Sequence, residues 1–230
     1  SVGEGQEYAR IAEKKKAKIL YDEDFVDPVW KDRPALSEEP AFDLDEKYAG
    51  ESVSSKMARI RKEMEDAGCN THIVSTLDDT CWTLNIRGND IEFFPLVLSY
   101  AIIRMDRFDL YIDERKLDKA LQEKLAKDGV VLHPYNAIYE DVKKLSDKDI
   151  VMIDPSKLNY ALFNNIPKSV KTVEKRNPAI LMKAIKNPVE IENIRKAQIK
   201  DSVAHLRFMK WLKENLGKIK ITEMSASEKL

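Results

Sequence analysis

Apolar positions along the chain change period several times, and the changes mark out the elements. Across residues 52–67, Val53, Met57, Ile60 and Met64 fall on one stripe at helical spacing, with Gly68 placed to stop it; this predicts an amphipathic helix. Residues 71–76 follow as a strand. The apolar run 93–103 is broken only by Pro95 and Ser99, and Pro95 sits at its start, where a strand tolerates a missing donor, so the run reads as a buried strand. Residues 108–113 alternate apolar and polar, which predicts an antiparallel hairpin of 96–103 with 108–112 across 104–107. Leu117, Leu121 and Leu125 restore a helical period. Beyond them the pattern gives a strand at 130–132, a short helix at 135–144, a strand at 150–153 ending at Asp154-Pro155, a helix at 159–164 and a strand at 170–173. The order α-β-α-β-β-α-β-α-β-α-β predicts an α/β domain, a mixed sheet with helices on its faces, over residues 50–177.

The two ends read differently. Residues 7–18 carry Tyr8, Ile11 and Ala12 at helical spacing with Lys14-Lys15-Lys16 on a solvated face, and 19–21 form a candidate short strand. Residues 24–34 contain Pro28 and Pro34, which break helix and sheet alike, and the acid-rich stretch 35–49 is a second extended linker. After Asn177-Pro178 the chain changes character. Asn187 and Pro188 are suited to cap and open a long helix reaching Leu216, whose apolar set, from Ile191 to Trp211 and Leu212, is too broad for one contact face. Residues 218–221 look strand-like, and Thr222 caps a last short helix.

Charge and composition narrow the function classes. The 39 Lys and Arg nearly cancel the 40 Asp and Glu, so no basic excess points to nucleic acid or an anionic membrane. No apolar run approaches the roughly 20 residues of a membrane span, and the start is not a signal peptide; a cytoplasmic location is the expectation. Cys69 and Cys81 lack metal-ligand spacing and read as reduced thiols, with Cys81 beside Trp82 read as a buried small residue. The three histidines are scattered, no His-Glu-X-X-His cluster, nucleophile elbow or phosphate loop occurs, and no bound metal is expected from these residues alone. His133 before Pro134 reads as structural ahead of ligand. Asp78-Asp79 could be a carboxylate pair, yet neighbours on a strand face opposite ways, so a turn or helix cap is the better assignment.

The candidate chemistry concentrates in Asn85-Ile86-Arg87-Gly88-Asn89-Asp90, which places an amide, a guanidinium, a glycine and a carboxylate between two apolar segments. Arg87 is the candidate substrate-contact residue, able to hold a carboxylate bidentately. The plainer alternative pairs it with Asp90 or Asp78 to pin the loop.

The same stretch carries a resemblance. Leu77, Asp78, Trp82, Asn85, Arg87, Gly88, Asp90, Pro95, Ser99 and Tyr100 fall on a segment of the three-domain Xaa-Pro aminopeptidases, metallopeptidases of the creatinase/prolidase type with a "pita-bread" catalytic domain. Val26, Asp27, Trp30, Asp32, Arg33 and Pro34 match the passage leaving that family's first domain. Lys186, Asn187, Glu190, Arg195, Lys200, Asp201, Trp211, Thr222, Glu223 and Ser225 match its entry into the catalytic domain. The resemblance implies residues 1–49 as the tail of a preceding domain and linker, 50–177 as a ribonuclease-H-like creatinase N-terminal (middle) domain, and 178–230 as the truncated start of the pita-bread domain. It further implies a cytoplasmic aminopeptidase that removes a first residue ahead of proline with two divalent ions, typically manganese. The metal ligands lie downstream, the partners are the missing first and catalytic domains of the same polypeptide, and family members commonly form homodimers. A stand-alone non-catalytic binding module, or a dipeptidase or creatinase-like relative, is the alternative.

Overall fold

A computed structural model describes residues 1–21 and 23–230. The elements run α1 (Val2–Lys14), β1 (Phe42–Asp43), α2 (Glu46–Ala49), α3 (Val53–Asp66), β2 (Thr71–Val74), α4 (Leu77–Leu84), β3 (Ile86–Arg87), β4 (Ser99–Arg104) and β5 (Phe108–Ile112). They continue with α5 (Lys119–Lys127), β6 (Val130–His133), α6 (Ile138–Asp141), β7 (Ile150–Ile153), α7 (Tyr160–Asn165), β8 (Lys171–Glu174), α8 (Pro178–Ala184), α9 (Pro188–Asn215) and α10 (Glu223–Lys229). The chain divides into one unit of Ser1–Glu46 with Glu51–Ile185, and a second of Lys47–Gly50 with Lys186–Leu230.

In the first unit a six-stranded sheet runs β6-β5-β4-β2-β7-β8. β4 is antiparallel to both β2 and β5, while β5–β6, β2–β7 and β7–β8 are parallel, so the sheet is mixed as the pattern predicted. Successive side chains on a strand point to opposite faces, and the core divides accordingly. Val74, Ala101, Ile103, Leu110 and Met152 join a core with Met57, Ile60, Met64, Trp82, Leu121 and Leu125 of the helices. Their neighbours Ile73, Ile102, Tyr111, Val151 and Ile153 join a second core with Val2, Ile138, Val142, Leu158 and Leu162. The stripe read from α3 is buried in full, each such side chain contributing about 1.5–3 kcal/mol.

Several boundaries move. The expected strand at 19–21 is irregular; Tyr21 instead sets its ring edge-on to Tyr160, 5.2 Å between centroids. The first helix starts at Val2 because Ser1 and Glu4 form a capping box, and a side chain at Gly5 would run into the Tyr160 ring. β4 begins at Ser99, so 93–98 is not strand. Asp78 and Asp79 occupy the first turn of α4, where carboxylates suit the positive end of the helix dipole. Residues 24–34 contain neither helix nor strand: Arg33 donates to Asp24 (2.8 Å) and Asp27 (2.6 Å), and its hydrogen bond holds the Asp24 carboxyl below the usual range.

The second unit is built on α9, which Asn187 and Glu190 close with a capping box around Pro188. Asn187 Nδ2 donates to Ala49 O (2.8 Å) and Asn193 Nδ2 to Tyr48 O (3.2 Å), tying residues 47–50 to its first turns. Gly50 must be glycine there: φ is +70°, and a Cβ would fall 2.3 Å from Asn187 Oδ1. No residue of α9 is buried, and Ile199 and Leu206 are each 67% exposed, so the broad apolar set read from the sequence is present and largely uncovered among the described residues. Residues 218–221 form no strand, and Thr222 caps α10.

Candidate functional site

The Asn85–Asp90 motif follows α4, and Asn85, Arg87 and Asp90 each hold backbone around it. Asn85 ends the helix in the left-handed region (φ 52°, ψ 37°), which asparagine enters more readily than most residues. Its side chain is buried: Oδ1 accepts from Lys56 Nζ at 2.6 Å and Nδ2 donates to Glu51 O at 2.9 Å. Lys56, sealed within the apolar stripe of α3, also donates to Trp82 O (2.9 Å) and lies 4.4 Å over the Trp82 ring. A buried ammonium thus meets the carbonyl end of α4 and a π face, two environments that favour a cation.

Arg87, half-buried on β3, donates through Nη1 to Cys81 O (3.0 Å) and Ile86 O (2.8 Å), so it too closes onto the end of α4. A Cβ at Gly88 would lie 2.6 Å from Val97 Cγ2, which makes glycine a packing requirement. Asp90 Oδ2 accepts from Lys116 Nζ (2.5 Å) and from Leu98 N (2.7 Å), in a pair whose side chains are 2% and 0% exposed for Lys116 and Asp90. Backbone bonds from Gly88 N to Pro95 O and from Asp90 N to Leu96 O close the base of the loop.

Above this brace residues 89–95 stand out from the domain. Phe93 is 92% exposed at φ +66°, a conformation that costs an L-residue about 1–2 kcal/mol, and Phe94 beside it is also exposed. The loop walls a depression of about 640 Å³ reaching Ser37, with Glu92 as the exposed carboxylate beside it. Apolarity alone made Phe93 read as the start of a buried strand; its left-handed backbone turns the same side chain outward.

Several other titratable groups have local partners. Asp79, buried, accepts from Thr76 Oγ1 (2.6 Å), Asn177 Nδ2 (2.9 Å) and Lys183 Nζ (2.7 Å), and Lys183 also binds Asp78. His72 sits between Met152 O (3.0 Å) and Asn177 Oδ1 (3.3 Å), and burial lowers its pKa. His133 Nε2 meets Asp109 Oδ1 (2.9 Å) while its ring stacks on Tyr111, and His205 is exposed on α9. Cys81 is a buried thiol whose sulfur accepts from Val97 N, and burial pushes its pKa up. Among the described residues no three His, Cys, Asp or Glu side chains converge to hold a metal, and no helix is long and apolar enough to cross a membrane.

Against known proteins, the creatinase/prolidase N-terminal domain family matches residues 32–190. A probable Xaa-Pro aminopeptidase P of Neurospora crassa is 36% identical over 221 residues, covering 91% of this chain and 32% of its own length. Xaa-Pro aminopeptidase 1 of Dictyostelium discoideum is 35% identical over 96% of this chain and 37% of its own. The X-prolyl aminopeptidase of Caenorhabditis elegans, described as a cytosolic enzyme with a di-nuclear active site, superposes on all of this chain with a TM-score of 0.91 at 28% identity, using 38% of that structure. The chain spans about a third of the length of these relatives.

Proposed function

The chain belongs to the creatinase/prolidase N-terminal domain family, and from that premise we propose that it serves a cytoplasmic Xaa-Pro aminopeptidase, which removes the first residue of peptides carrying proline in second position. The observation that carries this is the 36% identity to a probable Xaa-Pro aminopeptidase P across 91% of the chain. A pair of divalent ions, manganese in this proposal, would be held elsewhere in the polypeptide. The described residues gather no ligand set for it.

The part given to this chain is positional. The braced 89–95 loop lies at the mouth of the active site, and Arg87 acts through the loop, because its Nη1 is engaged by the Cys81 and Ile86 carbonyls that fix the loop's base. The test is to incubate the polypeptide carrying this chain and its catalytic domain with two peptides differing only by proline or alanine at position two, and to identify the released residue by mass spectrometry. Release from the proline peptide alone supports the assignment; equal release from both, or from neither, removes it.

A further inference from the structure

His72 on β2 is fully buried in the first unit and has an oxygen at each ring nitrogen: Met152 O stands 3.0 Å from Nδ1 and Asn177 Oδ1 3.3 Å from Nε2. The Asn177 amide cannot turn to offer a donor instead. Its Oδ1 also accepts from Ala179 N (3.0 Å) and its Nδ2 donates to the buried Asp79 carboxylate (2.9 Å), so both ends of the amide are fixed by what they bind. A neutral imidazole carries one N–H, and in either tautomer its other nitrogen turns a lone pair toward an oxygen; only the doubly protonated ring donates to both. Burial opposes that second proton and holds the His72 pKa below the ordinary imidazole value, against the pull of the two oxygens and of Asp79 and Asp154. The hydrogen bonds around this ring are therefore complete only in the state that its surroundings disfavour.

We propose that His72 and Asn177 form a proton-operated clasp on α8, the last helix of the first unit, which holds at neutral pH and opens on acidification. Asn177 is the N-cap of α8, and its main-chain N–H donates to Asp154 (2.9 Å), so the residue that meets the ring also sets the start of the helix. Asn177, Pro178 and Ala179 are buried and cover the Nε2 side. Water reaches the ring when that turn lifts, and an imidazolium is solvated there but not in the closed state. The carboxylates nearby are already engaged: Asp79 of α4 by Lys183 of α8 (2.7 Å), Asp154 by Ser156 Oγ (2.6 Å) and Asn177 N, and Glu63 of α3 by Lys175 (3.0 Å). β4, β7 and α3 otherwise bring the apolar Ile103, Met152 and Met64 to this face of the sheet. Because the folded-state pKa lies below the unfolded one, the stabilisation from a neutral ring is complete above about pH 6.5 and is lost as the pH falls below it. The clasp does not depend on the aminopeptidase function.

The test is hydrogen–deuterium exchange read by mass spectrometry between about pH 7.5 and about pH 5.5, either side of the imidazole range, on the polypeptide that carries this chain and its catalytic domain. Exchange at the imidazole C2 position reports the titration of the His72 ring, with an unstructured histidine peptide in the same buffer as reference. Amide exchange of the 177–185 peptide, corrected for its intrinsic pH dependence, reports the opening of α8. His72 is expected to titrate at lower pH than the reference peptide. Opening of α8 is expected to rise about tenfold at one unit below the ordinary imidazole pKa of about 6.5, the full effect when the closed ring takes up no proton. His72→Phe should leave α8 protection flat over that range, with peptides from β4 and β5 protected in both forms. The clasp is overturned if His72 titrates with the reference peptide, if wild-type α8 protection does not change with pH, or if His72→Phe shows the same rise. A rise shared by β4 and β5 assigns the acid effect to the domain as a whole and overturns it as well. Where His72→Phe does not fold, the two wild-type measurements decide alone.

Discussion

Replacing Asp90 by alanine probes the brace at its most buried point. The substitution removes the carboxylate from Lys116 Nζ, an ammonium whose side chain is 2% exposed, and strips Leu98 N of its acceptor. Breaking a buried pair from one side costs about 3–5 kcal/mol because the remaining charge has no water to return to. For a domain of this size, about 2–4 °C of thermal midpoint accompanies each kcal/mol, so the midpoint should fall by roughly 6–20 °C. The converse substitution, Lys116→Met, strands the carboxylate and should cost a similar amount. The double variant Asp90→Asn with Lys116→Met removes both charges and keeps an oxygen for Leu98 N, and should recover most of the loss. Urea unfolding followed by tryptophan fluorescence on the 230-residue chain gives the three differences. Single-variant losses below about 1 kcal/mol, the scale of a solvent-exposed pair, would refute the claim that this pair pins the loop from within the core.

Other consequences can be read from the same chain. Gly88→Ala should cost about 1–3 kcal/mol, since its Cβ would lie 2.6 Å from Val97 Cγ2; a chemical denaturation midpoint equal to wild type contradicts the packing. Asn85→Gly should be less damaging than Asn85→Ala, because glycine retains the left-handed cap while both lose the Lys56 and Glu51 bonds; the two melting curves decide it. Burial, aided by the Tyr100 hydroxyl, pushes Tyr139 up to about 12. The folded state therefore keeps a proton that the unfolded chain releases near pH 10. Stability should hold below about pH 10 and fall as pH rises toward 12, and Tyr139→Phe should flatten that decline in alkaline denaturation monitored by circular dichroism.

How far the sequence disclosed this arrangement depends on what each stretch buries. The α3 stripe is legible because one face meets the core and the other meets water, and the β4–β5 hairpin because its strands bracket a polar turn. α4 is nearly buried all round, from Asp79 to Leu84, so no amphipathic period announces it and only the acidic pair at its start shows. Lys56 is the clearest omission: a lysine on an apolar stripe reads as a surface residue, and only the distant Trp82 and Asn85 explain its burial. The 93–98 segment misled because hydrophobic residues mark apolar contact without saying whether the domain or something outside it provides that contact. Arg87 was visible as an unusual residue in an unusual place; that its Nη1 meets main-chain carbonyls depends on the return of the chain through β3.

The most direct test of the brace is a double-mutant cycle of Arg87→Ala and Phe93→Gly in the polypeptide with its catalytic domain, reading KM for a peptide with proline in second position beside the thermal midpoint. If Arg87 works through the loop, Arg87→Ala lowers the midpoint by several degrees and adds no further rise in KM once Phe93 is glycine. A rise in KM that is fully additive to that of Phe93→Gly, with an unchanged midpoint, would contradict the brace and put the Arg87 guanidinium on the substrate itself.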